Sequence, residues 1–202
     1  KLIQGKVLLH RLTIPEGSTV WDVARIVEEQ GLGSAQDMTR LMQDQELMHS
    51  LGISGPNLEG YLFPETYQLP KTQDPQAIVR AMVQQFRQHF PESWVKRSEE
   101  LGISVQDVVT LASLVEKEAV VDSERPRIAS VFYNRLKKSM PLQSDPTSVY
   151  DLPGFSGPVT SAHLKRQSPY NTYLIKGLPI GPICNPGRKS IEAVLYPEST
   201  NF

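Results

Sequence analysis

Apolar positions along this chain fall into blocks separated by turn residues, and most blocks follow a helical period. The clearest runs from Ser104 to Val121. Val108, Leu111, Ala112, Val115 and Ala119 recur at three- and four-residue steps and make one apolar stripe. Ser104, with Asp107 three residues on, is close to a capping box, with Asp where Glu or Gln is usual. At about 100° per residue, Glu118 lies at the border of the stripe, Glu116 falls on the opposite flank and Lys117 points away. A carboxyl at 118 is expected to be partly desolvated and close to the negative end of the helix dipole. Both effects disfavour its ionised form, which is the environment a general acid needs. The plainer reading is a solvated boundary residue, since Glu-Lys-Glu is a common helix-surface composition.

The other blocks sketch a fold. Residues 6–14 (KVLLHRLTI) alternate enough to predict a strand, and Pro15-Glu16-Gly17 is a turn. Ser18 or Thr19 then caps a helix through Val27, with Gly31 as a stop. Residues 34–50 read as a second helix, capped by Ser34 with Asp37 following. Asp74-Pro75 opens a helix carrying Ile78, Met82 and Phe86 and ending before Pro91; Trp94 begins a short one ending near Gly102. Ile128, Val131, Phe132 and Leu136 predict a buried helix closed by Lys137-Lys138. Residues 140–150 read as a strand or extended segment entering a Pro-initiated turn, with Asp145 in the cap position, and 172–176 as another short strand. Ser190 is expected to cap a last helix, Ile191–Leu195. The fold class is therefore α+β, with six or so helices and short strands. A small N-terminal lobe over residues 1–55 would precede a mainly helical lobe over 56–202.

Composition narrows the chemistry. A chain of 202 residues suits one domain, or one domain plus a small lobe. A net charge of −1 gives no electrostatic case for nucleic acid or an anionic membrane surface. The apolar runs are too short to span a bilayer, and no signal peptide is evident. The single cysteine, Cys184, excludes an internal disulfide. The four histidines (His10, His49, His89 and His163) lack metal-ligand spacing, so neither a metal nor a cofactor is expected. The chain starts at Lys1 without Met and reads as an excised fragment. Two stretches remain open in role. Residues 57–67 crowd Tyr61, Phe63 and Tyr67 between turn signals, either as a satellite core or as a platform for sugar rings. Residues 168–187 are rich in Gly and Pro, the composition of a long and often functional loop.

Five blocks in order then carry a resemblance: EGYLFPETY (59–67), LASLVEKE (111–118), SERPRIASVFYNRL (123–136), LQSDPTSVY (142–150) and SPYNTYLIKGLPIGPICNPG (168–187), continued by YPEST. Together they resemble the YceG-like endolytic murein transglycosylases. The resemblance implies cleavage of the β-1,4 bond between N-acetylmuramic acid and N-acetylglucosamine without water, leaving a 1,6-anhydro end. It implies that the second Glu of EKE, Glu118, is the catalytic acid and then base. It also implies glycan strands as substrate, with peptidoglycan synthases (penicillin-binding proteins) as further partners. The setting would be the outer face of the cytoplasmic membrane, with an N-terminal anchor helix absent here. The strand–turn–helix at the N-terminus resembles part of a LysM-like region, and the C-terminus looks shortened against the family. Asn134, Gln143, Asp145, Tyr170, Asn171 and Tyr173 lie in the matching blocks without an evident core role. With Tyr61, they are the expected sugar-holding groups. Two rivals stay open: a muramidase-like hydrolase pairing Glu118 with Asp145, and a non-catalytic glycan-binding module.

Overall fold

The computed structural model describes residues 9–70, 74–152 and 154–201. Strand β1 (Leu9–Thr13) pairs antiparallel with β2 (Thr66–Pro70), Leu12 opposite Tyr67 and His10 opposite Leu69. This places Leu12, Tyr67 and Leu69 against the core. The strand expected over 6–14 is thus seen from Leu9; its first residues lie outside those described. Its partner was not expected, and it lies beyond the lobe boundary drawn near residue 55.

Thr19 caps α1 (Val20–Glu29) in a reciprocal box with Asp22. The single helix expected over 34–50 is two, α2 (Ala35–Met42) and α3 (Gln45–Ser50). Asp44 starts a new cap by accepting from Leu47 N–H and so interrupts the run. α4 (Pro75–His89) follows its Asp74 cap, and α5 (Glu92–Leu101) ends at left-handed Gly102. α6 (Val105–Glu118) is the centre of the molecule. Ser104 and Asp107 form a complete capping box, the shorter carboxylate reaching back to the cap N–H at 3.1 Å. Val108 through Val115 are all buried, so α6 is apolar nearly all round, a wider surface than the expected stripe. It packs against α5, α7 (Arg125–Lys137) and, beyond a short α8 (Ser161–Leu164), α9 (Arg188–Leu195). No strand forms at 140–150 or 172–176. Asp145–Ser148 is a single 3-10 turn, because its polar groups bond to side-chain hydroxyls rather than to a neighbouring strand.

A buried polar hub ties the two ends of the chain together. Asn185 Oδ1 accepts from Gly60 N–H and Leu62 N–H, both at 2.9 Å, while its Nδ2 donates to Ser18 O and Glu59 Oε1. Glu59 Oε2 accepts from Val20 N–H at 3.0 Å and Tyr150 O–H at 2.8 Å. Burial pushes the Glu59 carboxyl up to about 8, opposed by those two donors and by Lys117. Gly60 is required where it stands. Its φ is +88°, and a Cβ there would lie 2.5 Å from Val109 Cγ1 and 2.7 Å from Pro182 Cγ. The 57–63 loop can therefore approach the middle of α6 only with glycine.

Candidate active site

Ala119 leaves the helical conformation (φ −76°, ψ 124°), so Glu118 is the last residue of α6, not an interior one. The chain turns away at once and leaves Val120 fully in solvent. Glu118 is half-buried, and its Oε1 accepts a 2.6 Å hydrogen bond from Ser144 Oγ. It opens on a cavity of about 320 Å³ floored by Ile128, Phe132 and Leu142, with Arg135 and Gln143 beside it. The Arg135 guanidinium is held by a bond to Leu142 O.

Ser144 owes its position to a knot of hydroxyls. Its N–H donates to Thr172 Oγ1 at 2.9 Å, Thr147 Oγ1 donates to Ser144 O at 2.6 Å, and the two threonine hydroxyls meet at 2.9 Å. Thr147 and Thr172 are fully buried, so these bonds form where little water competes. Gln143, with φ +52°, is one of two non-glycine residues in the left-handed region among those described, and its N–H donates to Thr172 O at 3.1 Å. Such a backbone costs of order 1 kcal/mol or more and persists where surrounding bonds over-determine it. Next along, Asp145 accepts from Tyr173 O–H. That bond first, then burial and the charges of Asp145 and Glu118, push the Tyr173 phenol up to about 12. Tyr173 therefore lies within electrostatic reach of Glu118.

The opposite flank of the same helix end is closed. Glu116 pairs with Arg125 at 3.1 Å, both side chains under 10% exposed. Its Oε2 accepts from Ser190 Oγ at 2.7 Å and Gly187 N–H at 2.9 Å. Ser190 is thus not the cap of α9. Gly187 holds the cap position without a side chain, and the Glu116 carboxylate supplies the negative charge that the helix N-terminus favours.

Of the residues singled out in the sequence, the structure places Glu118 and Gln143 in this groove, with Tyr173 and its partner Asp145 beside it. Asp145 is not a cap: Ser144 holds that position, and the Asp145 side chain goes to Tyr173. The other four are placed elsewhere. Asn134 lies on the far side of α7 and donates to Thr200 O. Asn171 is fully buried, donating to Leu164 O and Arg166 O and accepting from Tyr173 N–H, so it shapes the turn that carries Tyr173. Tyr170 is buried against Tyr150, with ring centroids 4.6 Å apart. Tyr61 packs edge-on to Phe86 and lines a cavity at the start of α6, about 20 Å from Glu118 at 1.5 Å per residue. Phe63 stacks on His89, so the aromatic run at 61–67 is core. Ser144, Thr147, Thr172 and Arg135 were missed, although Ser144 stood between two chosen residues. Among the described residues, no cluster of His, Cys, Asp and Glu is arranged to hold a metal ion. No described helix is long and apolar enough to cross a membrane.

The YceG-like family model matches residues 1–202. An endolytic murein transglycosylase of Bacillus subtilis (strain 168) is 35% identical over 210 residues, covering 95% of this chain and 57% of that protein. One from Streptococcus pneumoniae serotype 2 (strain D39 / NCTC 7466) is 33% identical over 211 residues, covering 92% and 38%. The chain spans about half or less of the length of these relatives. A crystal structure of a yceG-like protein from Listeria monocytogenes superposes with a TM-score of 0.88 at 36% identity, covering 96% of this chain and 69% of that one. This chain belongs to the YceG-like family.

Proposed function

We propose that the Glu118 groove cleaves peptidoglycan glycan strands as an endolytic lytic transglycosylase. One observation carries this reading: a carboxyl at the end of α6, held on one oxygen by Ser144 and open to a groove. A water-free cleavage needs only one such group. Protonated Glu118 gives its proton to the glycosidic oxygen as the bond to muramoyl C1 breaks towards an oxocarbenium-like state. The carboxylate then takes the proton of the C6 hydroxyl, which closes onto C1 and forms the anhydro ring. The Ser144 hydroxyl stabilises the carboxylate stage between these transfers. Gln143, Arg135 and Tyr173 stand where sugar hydroxyls and N-acetyl groups would be held. Asp145, the partner a hydrolase would use, is engaged by the Tyr173 hydroxyl.

The relatives' names support murein as substrate, and with it a site of action at the bacterial cell envelope. The remaining parts of the reading rest on family resemblance: a membrane anchor, contact with penicillin-binding synthases, and a LysM-like lobe to about residue 55 ahead of the catalytic part. β1, the 15–18 turn and α1 are consistent with that lobe. Products decide the reaction. Purified glycan strands should yield 1,6-anhydro ends by mass spectrometry, and Glu118→Gln should abolish them without lowering the melting temperature. Reducing ends in their place would make the enzyme a hydrolase.

A further inference from the structure

We propose that a second cavity, on the other side of the α6 terminus, binds sugar units of the same glycan strand away from the cleaved bond. This rests on the reading of Glu118 above. The cavity, about 560 Å³, lies between α1 and residues 146–159, and Trp21, Arg25, Lys117, Pro146, Tyr150 and Phe155 line it. Two of those residues are close in sequence to groove residues: Lys117 precedes Glu118, and Pro146 lies three positions after Gln143. Successive helical residues project about 100° apart, so cavity and groove flank one helix end. A strand crossing that end would reach both.

The lining has the chemistry of a saccharide site. Sugar rings present C–H faces to aromatic faces and hydroxyls to convergent polar groups. Trp21 and Phe155 are each half-buried, which leaves ring surface open, and each is braced from behind. Trp21 lies 5.0 Å from Tyr150, which packs on Tyr170 and donates to buried Glu59. Phe155 meets His163 edge-on at 4.9 Å, and the His163 ring is fixed by a bond from Thr160 N–H. The rim mixes cations with their own partners: Arg25 pairs with Glu29 at 2.7 Å and lies 3.5 Å from Asp22, and Lys117 donates to Gly17 O at 2.8 Å. Interleaved donors and acceptors suit a neutral polyol better than a phosphate. The braced Trp21–Tyr150–Glu59 layer, which Glu118 chemistry does not use, then has the task of keeping the platform rigid.

The test uses peptide-free glycan strands and Glu118→Gln protein, so that binding is read without cleavage. Adding Phe155→Ala should weaken long-strand binding about tenfold in calorimetry, while disaccharide-scale fragments bind as to the parent. Phe155→Leu, which keeps the apolar bulk but loses the ring face, should weaken it similarly, as should Trp21→Leu. Unchanged affinity in these variants, equal loss for short and long ligands, or no strand binding by the parent would each overturn the subsite. Absence of anhydro products from the wild type would overturn only the cleavage reading, because the binding measurement stands apart from it.

Discussion

Glu116 and Glu118 are the same residue type two positions apart on one helix, yet they sit in unlike surroundings. Glu116 is enclosed: Arg125, Ser190 and the Gly187 N–H occupy its oxygens, and its side chain is 7% exposed. Glu118 has one hydroxyl partner and faces a groove. A carboxylate whose acceptor sites are taken by fixed donors holds α6 to the N-terminus of α9. One with acceptor capacity to spare can exchange a proton. What separates the two roles is therefore the count and rigidity of partners, set by which flank of α6 each side chain occupies.

The largest expected effect tests the open flank. Glu118→Gln should lower cleavage by about three orders of magnitude, the scale of a positioned acid–base group, with unchanged urea denaturation. A comparable loss of stability would erase the contrast. Next, Glu116→Ala should cost up to about 3–5 kcal/mol in urea denaturation, because it takes from buried Arg125 its buried partner and leaves only the exposed Asp122 carboxylate beside it. An unchanged midpoint would show that the closed flank bears no load. Smaller again, Ser144→Ala should reduce kcat about tenfold with little change in KM, since it removes one donor to the carboxylate but no substrate contact.

The least effect concerns a third carboxyl. Glu59 has a folded value near 8 against an ordinary 4.5, so between these the folded state binds more protons than the unfolded one. Its stability contribution is then complete below about 4.5 and is lost as pH rises through about 8. Urea midpoints measured from pH 5 to 8.5 should fall across that window. A flat profile would mean that the hub donors hold Glu59 ionised, which would place it with Glu116 rather than apart from it.

Legibility in the sequence followed the range of the forces involved. The Ser104–Asp107 box, the Asp74-Pro75 start of α4 and the stop at Gly102 are local events, and each is where the pattern predicts it. The wheel alone separated Glu118 from Glu116. The break at Asp44 was also local, and the Asp cap that causes it was overlooked within an apolar period that ran on. The strands expected over 140–150 and 172–176 do not form, because strand-like composition says nothing about a partner; the other reading of 140–150, an extended segment entering a Pro-initiated turn, is the one seen. These segments meet each other through the Thr147 and Thr172 hydroxyls and single bonds from the Gln143 and Ser144 N–H groups, not through a ladder. Polar residues in the matching blocks looked alike in sequence. Asn171 proved a buried turn brace, whereas Asp145 and Tyr173 pair with each other and Gln143 lines the groove.

By itself, then, the sequence determined most of the longer helices, the Ser34, Asp74 and Ser104 caps and the carboxyl at the helix border, because backbone propensity and the 3.6-residue period act within a few positions. Only the tertiary structure decided which donor reaches that carboxyl. Ser144 lies 26 residues from Glu118, and Ser190 lies 74 from Glu116. Contacts at such separations depend on how the whole core packs around α6, which no local pattern records.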